Sequence, residues 1–209
     1  MKPTLWLVRH GATELNKADG ERVRGHLQLP LTDKGQKQAL RIGAHLSKFP
    51  VDSIYHSDLQ HAAETAKIIS HITGAQVHPD RDLRTWDPGA HEGQKVRDVM
   101  PILKHLAHRQ PNVATPGGES FHAWAKKFLP KLDKHLDELK RRGGHRVLVT
   151  HGRNIELAQS YLSGRRKKLD HKYLLDKKYL GPPGSALPVE VDGDEWKAGE
   201  VTTGGGEKQ

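Results

Sequence analysis

Two stretches of this chain combine residue types that can handle an anion, and each stands at the end of an apolar run. In the first, Leu5, Trp6, Leu7 and Val8 give way at once to Arg9, His10, Gly11, Ala12 and Thr13. In the second, Val147, Leu148 and Val149 lead through Thr150 to His151, Gly152, Arg153 and Asn154. A guanidinium presents a planar fork of donors that suits phosphate or carboxylate. A neutral imidazole can attack as a nucleophile or carry a proton, and a glycine directly after it lets the backbone approach a ligand closely. Arg-His pairs are common, so either stretch alone says little beyond an anion site with a reactive histidine.

The elements that would position them strengthen the reading. A short apolar run bounded by turn residues reads as a core strand, and in open α/β sheets ligands bind beyond the carboxyl ends of the strands. Two strands that each finish in a His-Gly pair at one sheet edge would bring His10 and His151 to the same phosphate-like anion. The helix predicted after His151, through Ile155, Leu157, Ala158 and Tyr161, adds backbone N–H groups and a positive dipole end.

Between the two stretches the pattern alternates. Residues 16–30 read as a polar loop holding Arg22 and Arg24. Thr32 caps a helix with Ala39, Ile42, Gly43 and Leu46 in a stripe. Residues 52–57 form a second strand, and Ser57 or Asp58 caps a helix carrying Leu59, Ala62, Ala66 and Ile69. A third strand covers residues 74–77, and a helix begins at Pro101. A long helix from Phe121 through Trp124, Phe128, Leu132 and Leu139 is stopped by Gly143 and Gly144. Residues 189–191 and Trp196 onward, joined by a turn at Asp192 and Gly193, make a closing hairpin. Such alternation predicts a single three-layer α/β domain over residues 1–201, with helices on both faces of a mostly parallel sheet and a disordered tail over 202–209.

Composition narrows the partners. The 209 residues fit one domain, and 34 Lys and Arg against 25 Asp and Glu give a net charge of +9,. That charge suits nucleic acid, an anionic membrane surface or a phosphorylated small molecule. Only 11 aromatic residues and no recognised binding motif argue against nucleic acid,. No stretch approaches a membrane span, and no leader segment is evident, which points to the cytoplasm. The absence of cysteine removes thiolate metal sites and Cys nucleophiles, and the histidine spacings show no metal signature. The basic run at residues 165–168 reads as a solvated face.

Arg9, His10, Gly11, Ala12 and Thr13, with Asn16 beyond, resemble the opening signature of the histidine phosphatase superfamily, the phosphoglycerate-mutase-like proteins. Leu31, Thr32, Gly35, Gln38 and Ala39 fit its first helix. Ser57, Asp58, Leu59, Ala62, Thr65 and Ala66 fit its second, and Gly118, Glu119 and Ser120 match a later motif. The resemblance spans residues 4 to about 201 and implies a phosphoglycerate-mutase-like fold, whose strand order it supplies. It further implies phosphomonoester hydrolysis through a phosphohistidine, with no metal or other cofactor. His10 would be the nucleophile, and Arg9 and His151 would bind the transferring phosphoryl group. Gly11, Thr13, Asn16 and Gly152 would shape the pocket, and Arg22, which fits the family spacing better than Arg24, would join them. Substrates would be phosphorylated small molecules or a phosphoprotein; the oligomeric state is not legible.

Two positions depart from the pattern. His61 stands where the family has its second phosphate-binding arginine, and an imidazole there would weaken phosphate binding as pH rises. Thr85 stands where the family has its proton-donating glutamate. A threonine hydroxyl is no useful acid near neutral pH, so Asp87, flanked by Trp86 and Pro88, becomes the candidate acid, with Glu92 next. The alternative is an impaired member that binds a phosphorylated ligand or protein without efficient turnover.

Overall fold

Every residue of the first strand, β1 (Thr4–Arg9), is buried, so both of its faces are covered. Successive side chains along a strand point to opposite faces. Leu5 and Leu7 accordingly join one apolar cluster with Phe121, Trp124, Phe128 and Leu148, while Trp6 and Val8 join another with Ile42, Ile54, Ile69 and Val149. The computed structural model describes residues 1–16, 21–164, 174–175, 181–192 and 195–204. The basic run at 165–168 and Gly193 of the predicted closing turn lie outside the described residues.

β1 pairs in parallel with β4 (His145–Thr150) and antiparallel with β5 (Ala186–Asp192). β2 (Val51–His56) lies parallel to both β4 and β3 (Gln76–Pro79). β6 (Glu195–Ala198) closes the other edge antiparallel to β5, giving one six-stranded sheet in the order β3-β2-β4-β1-β5-β6. Parallel neighbours need crossovers, which helices supply. Helices α1 (Asp33–Leu46) and α2 (Gln60–Thr73) cover the Trp6 face. Helices α3 (Val96–Arg109), α4 (Phe121–Arg142) and α5 (Gly152–Ser163) cover the Leu7 face. Three layers around a mostly parallel sheet result, as expected.

Local chemistry explains most boundaries. The Thr32 hydroxyl accepts from the Gly35 amide, and the Ser120 hydroxyl accepts from the Ala123 amide, so α1 and α4 start on capped N-termini,. Four expectations need correction. Neither Ser57 nor Asp58 caps α2, which starts at Gln60 after an uncapped Leu59, because the Asp58 carboxylate is held bidentately by Arg84 at 2.6 Å. The third strand begins at Gln76 rather than Gly74, since Gly74 is spent as the left-handed cap of α2 at φ 75°,. Helix α3 begins at Val96 with Pro101 inside it, its apolar side buried through Val99, Leu103, Leu106 and Ala107. The tail is tethered at first: Thr202 and Ala186 exchange two backbone hydrogen bonds of 2.8 Å.

Register delivers the two histidines together. Arg9 pairs with Thr150 across the β1–β4 ladder, and the His10 amide continues it to the Thr150 carbonyl at 3.0 Å. The next residue on each strand, His10 and His151, therefore leaves the sheet at the same edge.

Candidate active site

His10 and His151 are buried with ring centroids 5.2 Å apart. The Nδ1 of His10 lies 2.7 Å from the Gly11 carbonyl oxygen. A carbonyl only accepts, so Nδ1 carries the proton and Nε2 keeps its lone pair. Burial first, then the neighbouring His61 and Arg24, holds His10 well below the usual imidazole range,. His151 is depressed in the same way and from the same leading cause. Its Nε2 lies 2.9 Å from the Ser57 hydroxyl, a positioning contact that the sequence reading missed.

The Gly-Ala-Thr segment after His10 builds the turn beneath the pocket. A Cβ on Gly11 would lie 2.4 Å from the Gly35 carbonyl oxygen, so β1 and the start of α1 can meet only through glycine. The Thr13 amide donates to the Asn16 side chain, which in turn donates to Glu21 at 2.9 Å. Gly11, Thr13 and Asn16 thus support the loop over the site, and the cleft itself is lined in part by Arg9, Arg24, Thr85, His151, Gly152 and Arg153. Arg9 donates to the Gly181 carbonyl at 2.6 Å and reaches Glu21 at 3.4 Å. Burial and the nearby Arg24 charge lower its pKa to about 10, so it remains a cation at neutral pH.

The loop arginine whose charge bears on the histidines is Arg24, whereas the family spacing favoured Arg22. Both border the cleft. Arg22, however, pairs with Lys95 through its backbone and spends its guanidinium on the Gly93 carbonyl at 3.0 Å. Further backbone bonds from Val23 to Gln94 and from Gly93 to Val23 pin the loop, and Gly25 turns it at φ 51°. Arg24 is left pointing inward: its Nη1 is buried without a hydrogen-bond partner among the described residues, and its charge bears on His10, His61 and His151.

His61 is 0% exposed, and its ring centroid is 4.3 Å from that of His10 and 5.2 Å from that of His151. The resemblance had placed it beside the phosphate site, and the three imidazoles do stand together. Its expected charge is disfavoured. Burial and then Arg24 lower its pKa to about 4, opposed by the Leu29 backbone, and among the described residues neither ring nitrogen completes a hydrogen bond. Burial thus favours the neutral form of His61 in the empty pocket, which weighs against a phosphate affinity carried by its charge.

Thr85 faces the cleft, as the family's acid position should, on a firmly held segment. The Leu83 carbonyl accepts from the Thr150 hydroxyl at 2.7 Å, and the Arg84 carbonyl accepts from Asn154 and Trp124 at 3.0 and 3.1 Å. Asp87, the candidate acid, does not line the cleft. Its Oδ1 accepts from the Gly89 amide at 2.9 Å and its Oδ2 lies 3.5 Å from His26, so the carboxylate holds a turn and is not among the groups lining the cleft. Glu92, the second candidate, accepts from the His26 amide.

Residues 5–197 match the sequence profile of the histidine phosphatase superfamily (branch 1). The chain belongs to this superfamily. Among its relatives, phosphoglycerate mutase-like protein 4 of Arabidopsis thaliana is 36% identical over 197 residues, spanning 91% of this chain and 80% of the relative. The alpha-ribazole phosphatase of Shigella flexneri superposes with a TM-score of 0.77 at 22% identity, covering 99% of this chain and all of the other. Phosphoglycerate mutase of Bacillus anthracis gives 0.74 at 22% identity, with 96% and 92% covered. These two structures establish the shared phosphoglycerate-mutase-like fold. Within the histidine phosphatase frame, the pocket combines a lone-pair-bearing His10, a cationic Arg9 and an inward Arg24. Among the described residues, no helix is long and apolar enough to cross a membrane.

Proposed function

We propose that this histidine phosphatase superfamily member hydrolyses phosphomonoesters through a phosphohistidine on His10. The observation that carries the reading is the locked tautomer: Nδ1–H is held by the Gly11 carbonyl, and Nε2 is left with a lone pair in a pocket bordered by Arg9, Arg24 and His151. In the first step the Nε2 lone pair attacks phosphorus, and the bond to the ester oxygen breaks with its electron pair leaving on that oxygen. In the second, water attacks the phosphoryl group, the P–N bond breaks, and Nε2 recovers its lone pair as the water proton passes to solvent. Arg9 and Arg24 neutralise the equatorial oxygens, so catalysis rests on positioning and charge. Arg24 thereby takes over the cationic role that burial disfavours for His61.

The same pocket favours a particular class of ester. With Thr85 at the acid position, the leaving oxygen departs unprotonated, which is tolerable only for a stabilised anion such as a phenolate. The outer wall, formed in part by Val23, Trp86, Pro88, Val96, Met100 and Leu103, is apolar and suits an aromatic or similarly flat leaving group,. Steady-state assays should show kcat/KM for aryl phosphates exceeding that for alkyl phosphates by orders of magnitude, and His10→Ala should abolish both. Binding of phosphate without release from any ester would favour the impaired, ligand-binding reading instead.

A further inference from the structure

His61 adds to His10 and His151 a third imidazole that the proposed phosphoryl transfer does not use. A nitrogen from each of His10, His61 and His151 lies within 4.8 Å of the others, and all three side chains are buried. His61 is the anomaly among them. It has no exposed surface, and among the described residues neither of its ring nitrogens has a hydrogen-bond partner. Buried polar groups are almost always satisfied, and an unsatisfied one in a native fold calls for an ion or another unrecorded partner.

We propose that His10, His61 and His151 form a three-imidazole site for a divalent transition ion of the Zn2+ class. Three neutral nitrogens with no thiolate and no carboxylate suit Zn2+, Co2+, Ni2+ or Cu2+ and not Mg2+ or Ca2+. Tetrahedral zinc holds imidazole nitrogens at about 2.0–2.1 Å, which places them roughly 3.4 Å apart. Modest side-chain rotation therefore closes the present separations. The tautomer of His10 is already suitable, because the Gly11 carbonyl takes its Nδ1–H and leaves Nε2 free. In His151, Nδ1 is left for the metal when the Ser57 hydroxyl accepts from Nε2–H,. Ligating histidines in proteins are oriented by such contacts through their second nitrogen.

The surrounding charge dictates the fourth ligand. Arg9 faces Glu21 and Arg153 is paired with Glu156, but Arg24 brings a guanidinium nitrogen that has no hydrogen-bond partner among the described residues. An ion at the three imidazoles therefore takes an anion, hydroxide or a phosphate oxygen, on its open side, where Arg24 can bond it. Bound metal occupies the lone pair of His10 and so blocks its attack on phosphorus. Metal binding itself does not depend on the hydrolytic reading.

Cobalt titration of the chelator-treated full chain tests this. One equivalent of Co2+ should produce the intense visible bands of a tetrahedral site, Zn2+ should bleach them, and X-ray absorption of the zinc-loaded wild type should count three imidazoles. His61→Gln and His61→Arg, checked for folding by circular dichroism, should each weaken binding by more than the roughly 10–100-fold that loss of a ligand-orienting contact costs. A weak octahedral cobalt spectrum, or a zinc shell dominated by oxygen, overturns the proposal on the wild type alone. Tetrahedral binding that persists in folded His61 variants also overturns it, because the ion would then sit at other histidines.

Discussion

Residue by residue, the pocket divides into groups that carry charge and groups that only hold shape. Arg24 is placed among the former by an inward Nη1 that has no partner among the described residues, and Arg22 among the latter by its bond to Gly93. Replacing Arg24 with Met should lower kcat/KM by roughly a hundred- to a thousandfold, the usual cost of one transition-state donor. Arg22→Met should cost less than about tenfold, and similar losses from both would contradict the assignment. The acid position gives a second contrast. Thr85→Glu should raise alkyl phosphate hydrolysis far more than p-nitrophenyl phosphate hydrolysis, because only the poor leaving group needs the proton. Asp87→Asn should leave the ratio of the two rates unchanged, since that carboxylate braces the Gly89 turn; a selective loss on the alkyl ester would restore Asp87 as the acid. The choice between Arg22 and Arg24 was not legible in the sequence. Alternation along an extended loop decides which side chain turns inward, and that phase is set by the Arg22 to Lys95 bridge across distant chain.

At the level of elements, what was legible followed from local chemistry. Thr32 three residues before Gly35 announces the cap of α1, and the continuous apolar runs announce β1 and β4. Boundaries failed where a residue was recruited from afar: Asp58 looks like a cap until Arg84, 26 positions on, claims its carboxylate. Gly74, at the junction of α2 and β3, fits either a helix cap or the start of a strand, and its φ of 75° assigns it to the cap,. The contact between the end of β1 and the start of α1 is the most demanding junction near the site. In a helix Gly→Ala gains up to about 1 kcal/mol from propensity, but a Cβ on Gly35 would lie 2.2 Å from the Ala12 carbonyl oxygen, a backbone atom that cannot swing away. The clash should win. Gly35→Ala is expected to lower stability by about 1–3 kcal/mol in urea titration, and to reduce kcat by shifting the turn that carries His10. A variant as stable and active as the wild type would show that the two elements can part without cost.

Across the whole molecule, the meeting of His10 with His151 could be anticipated because both strands end in a His-Gly pair, while the adjacency of β1 and β4 that completes it came from the family resemblance. The neutral state of His61 could not, because burial depth belongs to the packed structure. Buried neutral histidines also set the acid stability. His135, 3% exposed, accepts from Arg146 at 2.9 Å and lies against Tyr55, with Glu138, Asp80 and Lys134 nearby. Burial and then Arg146 lower its pKa to about 4. Its unfolded counterpart titrates near 6.5, so between these values the unfolded chain binds more protons. Stability from this group is complete above about pH 6.5 and is lost as pH falls toward 4. His135→Gln, whose amide oxygen can still accept from Arg146, should shrink the stability difference between pH 7 and 4.5 by at most about 3 kcal/mol. An unchanged difference would mean that His135 protonates without cost. The central claim is chemical, and a rapid-quench experiment with labelled p-nitrophenyl phosphate tests it most directly. The wild type should yield an acid-labile, base-stable phosphoryl adduct that peptide mapping places on His10 and that disappears in His10→Ala. An adduct on any other residue, or turnover without an adduct under conditions that trap phosphohistidine, would contradict it.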